Sequence, residues 1–237
     1  MAAKLTVETF TAAVARALGD RLVSLVLYGS VARGTRVPQR SDVNTLLICD
    51  AVDERVFAVL GPTVRPWTRA GHPAPLIFSE REWREGADAF PIEYEDIREA
   101  HRLLAGRDPW AGISVRRTDL RRQLEYELRG KLVRLRQAYV ALQGDPKPLT
   151  RVIAGSTAGF FTMLRATLRL AGQTPPAGPQ ALVRAAGTLV GFAPETLAAL
   201  VTHATGGAVL RLAADDPLPA TYLDVLARTA DFVKRTA

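Results

Sequence analysis

Two short apolar runs constrain the N-terminal half of this 237-residue chain more than anything else in it. Residues 22–28, LVSLVLY, and residues 43–49, VNTLLIC, are rich in aliphatic and β-branched side chains. Each is too short for an ordinary helix and is bounded by glycine or polar residues, so each reads as a buried strand. Between them lies a polar segment with Gly29, Gly34 and Pro38, which predicts a long loop joining the two strands. An amphipathic helix is predicted over 7–18. Phe10, Val14, Ala15 and Leu18 recur there at helical spacing, and Gly19-Asp20 stops it.

After the second run, residues 53–70 predict a helix interrupted at Gly61-Pro62, with Pro62 in the first turn of a second helix. Residues 73–78 are a candidate strand. Ser79 with Glu82 three residues on has the spacing of a capping box. Residues 97–104 are a candidate edge strand. The acid-rich segment 90–97, FPIEYEDI, reads two ways. Extended, it puts Ile92, Tyr94 and Asp96 on one face; helical, it clusters Glu93, Asp96 and Ile97.

From Thr118 the period changes. Leu120, Leu124, Leu128, Leu132, Leu135, Tyr139 and Leu142 form one stripe at spacings of three and four, which predicts a long amphipathic helix. Asp119 near its start suits the helix dipole, and Glu125–Arg129 and Glu127–Lys131 stand at favourable i,i+4 spacing. Further helices are predicted over 149–171, 179–190, 194–205 and 217–235, with Pro/Gly clusters between them. The chain is therefore expected to be α+β, with a small mixed sheet and helices over 1–112 and an all-helical bundle over 113–237.

Apolar residues make up 48% of the sequence, enough for a sizeable core. The net charge of +7 suits a polyanionic partner such as nucleotide phosphates, although an Arg-rich composition runs basic without one. Arg122, Arg129 and Arg136 repeat at intervals of seven, as a phosphate-binding surface or as a solvated helix face. Few aromatics interleave with them, so nucleic acid is not the favoured partner. The single Cys49 cannot close an internal disulfide and reads as a small buried hydrophobe, consistent with a cytoplasmic setting. No apolar stretch approaches the roughly 18 residues of a membrane span, so no membrane partner is expected. His72, His101 and His203 are scattered without zinc-ligand spacing, and Trp67, Trp83 and Trp110 offer rings on which a base can stack but are expected to pack in the core or at an interface.

The chemistry lies in the loop between the two runs. Gly29 has no Cβ and lets backbone approach a phosphate. Ser30 offers a hydroxyl and an N–H, and Val31-Ala32-Arg33-Gly34 can open a short helix whose N-terminus favours anions. Arg33 can add a charged donor. Then Ser41-Asp42-Val43-Asn44 enters the second strand, where alternation puts Asp42 and Asn44 on one face. Two oxygen ligands on one face beside a phosphate cradle make a candidate Mg2+ site.

Tyr28-Gly29-Ser30, Ala32-Arg33-Gly34, Ser41-Asp42-Val43-Asn44 and the apolar strand after them resemble the polymerase-β-like nucleotidyltransferase superfamily, in its minimal, aminoglycoside-nucleotidyltransferase-like branch. The likeness is strong over about residues 20–50, and a helical second half is similar to the aminoglycoside members. It implies binding of a nucleoside triphosphate such as ATP by Gly29, Ser30, Arg33 and Ser41. It implies Mg2+ held by Asp42 and Asn44, and transfer of a nucleoside monophosphate to a hydroxyl acceptor of unspecified kind. The helical half would shape the acceptor pocket. Active members carry a carboxylate where this chain has Asn44, so a catalytically weakened nucleotide-binding or regulatory module is the alternative. The resemblance also implies a third carboxylate, for which Glu93 and Asp96 are the candidates, with Glu80 and Asp50 behind them.

Overall fold

A computed structural model describes residues 6–37 and 42–236. The chain divides into two compact units, one of Met1–Asp88 with Ile97–Ser114 and one of Ala89–Asp96 with Val115–Ala237.

In the first unit, α1 (Val7–Leu18) starts at Thr6, whose hydroxyl accepts from the Thr9 N–H while the Thr9 hydroxyl accepts from the Thr6 N–H. This reciprocal pair satisfies two of the donors that every helix start leaves open. Strand β1 (Leu22–Tyr28) pairs antiparallel with β2 (Asn44–Cys49), Tyr28 opposite Asn44 and Leu22 opposite Cys49. Helix α2 (Glu54–Arg69) follows, and then β3 (Leu76–Ser79), parallel to β2. Strand β4 (His101–Gly106) pairs antiparallel with the other side of β1 and completes the order β3-β2-β1-β4. One sheet face packs Leu25, Leu27, Val43, Leu47 and Cys49 against Phe10, Val14 and Leu18 of α1 and Val56, Leu60 and Trp67 of α2.

The expected break at Gly61-Pro62 does not occur: α2 is continuous through Pro62 and Pro66. Val56, Leu60, Val64 and Trp67 hold one helical stripe across both prolines, which sit on the exposed side. Trp67 anchors the stripe, stacked on Phe10 at 4.1 Å and donating its indole N–H to the Pro73 carbonyl at 3.0 Å. Burial of that face outweighs the hydrogen bonds a helical proline removes. After β3, the predicted capping box at Ser79 and Glu82 opens α3 (Glu80–Glu85).

The acid-rich segment is helical, forming α4 (Pro91–Glu99), so the edge strand begins at His101 and not at 97. The division between the units runs through this helix.

The second unit is a bundle of α5 (Arg117–Ala141), α6 (Pro146–Leu170), α7 (Pro179–Val190), α8 (Ala198–Ala204) and α9 (Leu218–Arg235). The helix expected over 194–205 opens as a 3-10 turn, Pro194–Leu197, before α8. Leu120, Leu124, Leu128, Leu132 and Leu135 of α5 share a core with Phe160 and Leu164 of α6 and Tyr222, Leu226 and Val233 of α9. The Glu125–Arg129 pair forms at 3.0 Å. Lys131 donates instead to the Ser156 carbonyl at 3.3 Å, and burial lowers its pKa. No helix among the described residues is long and apolar enough to cross a membrane.

Candidate nucleotide-binding site

The turn after β1 is built on Gly29. Its φ of 80° lies in the left-handed region, and a Cβ there would come within 3.2 Å of Asn44 Nδ2, so glycine alone fits without strain. Its N–H donates to the Ala100 carbonyl at 3.3 Å, tying the turn to the residue before β4. Its carbonyl accepts from the Arg33 N–H at 3.0 Å, and the Ser30 carbonyl accepts from the Thr35 N–H at 2.9 Å. This is a single helical turn, not the short helix that the sequence suggested. Residues 29–34 are turn throughout, and Gly34 ends it with φ 72°. Even one such turn leaves its first N–H groups without helical acceptors. Among the described residues, the N–H groups of Ser30, Val31 and Ala32 and the Ser30 hydroxyl make no hydrogen bond, so these donors are open to an anion.

Across the pair, Asp42 is exposed, Val43 is buried in the core and Asn44 is half-buried beside Gly29. Asp42 and Val43 precede β2, which begins at Asn44, and the burial of the three residues alternates exposed, buried, half-buried. Asp42 and Asn44 stand at the end of the sheet that carries the Gly29 turn, because Asn44 is opposite Tyr28. Ser41 lies outside the described residues.

Arg33 faces inward. Its side chain is 5% exposed and its Nε lies 3.8 Å from Glu99 Oε1. In this arrangement the guanidinium fastens the turn to the end of α4. Glu99 is the acid that sequence reasoning missed. It precedes Ala100, whose carbonyl holds Gly29, and the register Tyr28–His101 puts it at the same end of the sheet as the turn. The signal was the strand boundary: with β4 starting at 97, Glu99 falls inside a strand; with β4 starting at His101, it falls at the site.

The two acids proposed from the sequence are placed with the second unit. Glu93 Oε2 accepts from Gln123 Nε2 at 2.9 Å, and Asp96 Oδ1 faces Arg169 Nη2 at 3.7 Å. The weaker candidates sit at the far end of the sheet. Asp50 follows β2 and binds Arg21 at 3.0 Å, while Glu80 follows β3 and is held by Arg84 at 2.7 Å and Arg107 at 2.6 Å. The length of β2, six residues or about 20 Å counted from Asn44, lies between the two ends.

The motif read from the sequence called for Mg2+ at Asp42 and Asn44. Among the described residues no three His, Cys, Asp or Glu side chains gather to hold a metal. Asp42 and the Asn44 amide oxygen can add donors to an ion that arrives on a triphosphate, which fits the preference of Mg2+ for one or two carboxylates plus phosphate oxygens and waters. They do not form a preformed cage for two ions.

The mixed sheet followed by a helical bundle, with the glycine turn at the β1–β2 junction, defines a nucleotidyltransferase-like fold. Among solved structures the chain is similar to spectinomycin adenyltransferase AAD(9) from Enterococcus faecialis, crystallised with ATP and spectinomycin. The TM-score is 0.60 over 96% of this chain and 98% of that one, at 13% sequence identity, a likeness of fold. No protein-family model matches the chain, and no curated protein matches it by sequence.

Proposed function

We propose that this protein binds a nucleoside triphosphate at the Gly29 turn and transfers its nucleoside monophosphate to a hydroxyl of a small polar acceptor. The carrying observation is the convergence, at one end of the sheet, of the open N–H groups after Gly29 with Asp42, Asn44 and Glu99. The match over nearly the whole length of an adenyltransferase solved with ATP and spectinomycin supports ATP as donor and spectinomycin as the first acceptor to test.

In this reading the N–H groups of Ser30, Val31 and Ala32 and the Ser30 hydroxyl take the triphosphate oxygens. Asp42, with the Asn44 amide oxygen, would hold Mg2+, which supplies charge neutralisation for the triphosphate and for the leaving pyrophosphate. The acceptor oxygen bonds to the α-phosphorus while the bond from that phosphorus to the bridging oxygen breaks and pyrophosphate leaves. Glu99 takes the acceptor proton, and Arg33 positions Glu99 against the turn. Transfer of label from α-labelled ATP to spectinomycin or to members of a panel of polyhydroxylic acceptors, with matching release of unlabelled pyrophosphate, tests the proposal. Asp42→Ala should lower the rate at least about a hundredfold, within the range lost with charge-stabilising groups. Equal rates for wild type and variant would reject the transferase reading.

Asn44 favours a second reading, nucleotide binding without transfer, because an amide brings no negative charge to the ion. Calorimetry with ATP separates the two. Magnesium-independent binding without turnover supports the second, and a gain of turnover in Asn44→Asp supports it further.

A further inference from the structure

Helix α5 buries Leu120, Leu124, Leu128, Leu132 and Leu135 on one side. On another side it carries Tyr126, Val133 and Val140, exposed by 75%, 52% and 76%. The intervals are seven residues, two turns with a drift of only about 20° per step, so the three side chains lie along one line. Single exposed apolar residues are ordinary. Three in a line are not, and two are valines, which form helix less readily than the charged residues usual at solvent-facing positions. Gly130, between Tyr126 and Val133, leaves room for the Arg134 guanidinium to lie against the helix.

Arg122, Arg129 and Arg136 repeat at the same interval along one flank of this line. Arg129 pairs with Glu125 at 3.0 Å and Asp231 at 3.6 Å. Among the described residues, Arg122 and Arg136 enter no ion pair. The face is thus an apolar line about 20 Å long, edged by Arg129 held in ion pairs and by the unpaired charges of Arg122 and Arg136.

We propose that this face docks an acidic amphipathic helix of a partner protein. The partner sets apolar residues on Tyr126, Val133 and Val140 and presents carboxylates to Arg122 and Arg136. Charge decides the occupant. A second copy of this chain would add the same two unpaired arginines to the contact, with Glu127 the one acid of α5 left to answer them, a single carboxylate for two cations. A nucleic acid would use the arginines and leave both valines without apolar partners. An acidic helix satisfies both halves of the surface.

The test uses the full chain and a fluorescein-labelled synthetic helix of about three heptads, with leucine at every seventh position and glutamates on the flank. Fluorescence anisotropy at low salt should show saturable binding that a scrambled peptide of equal composition lacks. Val133→Lys and Arg136→Glu, each with wild-type circular dichroism and melting, should weaken it at least about tenfold, as loss of a central interface contact does. A peptide with lysine for glutamate should recover affinity for Arg136→Glu. Absence of saturable binding, equal binding of the scrambled peptide, or wild-type affinity in both variants overturns the proposal. So does preferential binding of an RNA duplex or of anionic phospholipid vesicles through these residues, or self-association that Val133→Lys abolishes.

Discussion

Gly29 and Thr45 show how much a single position decides. Gly29 combines a φ of 80° with a close approach to Asn44. In Gly29→Ala the left-handed conformation alone costs about 1–2 kcal/mol, and the methyl group displaces the Asn44 amide. Urea denaturation should show that loss, and ATP affinity should fall with it; unchanged affinity would separate the turn from nucleotide binding. Thr45 is 1% exposed on β2, and its hydroxyl has no hydrogen-bond partner. A buried hydroxyl in that state carries its desolvation penalty unrelieved. Thr45→Val removes the oxygen at nearly constant shape and should stabilise the protein by about 1 kcal/mol in the same assay. A destabilised variant would show that the hydroxyl is satisfied by water.

Among the elements, the junction of β1, β2 and α2 is held by one guanidinium. Arg21 binds Asp50 at 3.0 Å and Asp53 at 2.9 Å, and Asp53 also caps α2 through the Val56 N–H at 2.9 Å. The Arg21 hydrogen bond, followed by the Val56 N–H, lowers the Asp53 pKa from 3.8 to about 2. A lowered carboxylate pKa contributes stability that is complete above the ordinary value and lost as pH falls through the folded one. Arg21→Gln should therefore melt below wild type at neutral pH, with the gap closing between about pH 4 and 2. Melting curves across that range check it, and a gap independent of pH would assign the effect to packing of the arginine stem. Helix α4 shows the opposite dependence on context. Its sequence suits strand or helix, and the outcome moved the edge strand to His101 and brought Glu99 beside the Gly29 turn.

For the molecule as a whole, the two units can be followed separately. Cys49 is fully buried in the sheet core of the first unit, and burial pushes its thiol up to about 11. At pH 8 the native thiol should resist alkylation and become reactive only when the first unit opens. The rate of labelling in urea, compared with loss of helical circular dichroism, which is dominated by the second unit, reports whether the two unfold together. Coincident midpoints would mean one cooperative transition.

The motif of the β1–β2 loop, the strands flanking it, α1 and the leucine stripe of α5 are all legible in the sequence, because each is a local pattern of burial at period two or 3.6. The burial of Val43 between the less buried Asp42 and Asn44 was legible for the same reason. Long-range packing alone decided the rest. The Phe10–Trp67 stack carries α2 through its prolines, and the pairing of β4 with β1 puts Glu99 at the end of the sheet that carries the Gly29 turn. It also turns Arg33 inward to that acid and leaves Glu93 and Asp96 to partners in the helical unit. The N–H groups after Gly29 were predicted as a helix start and are realised as one turn, since the Ala100 carbonyl, 71 residues on, fixes where that turn begins.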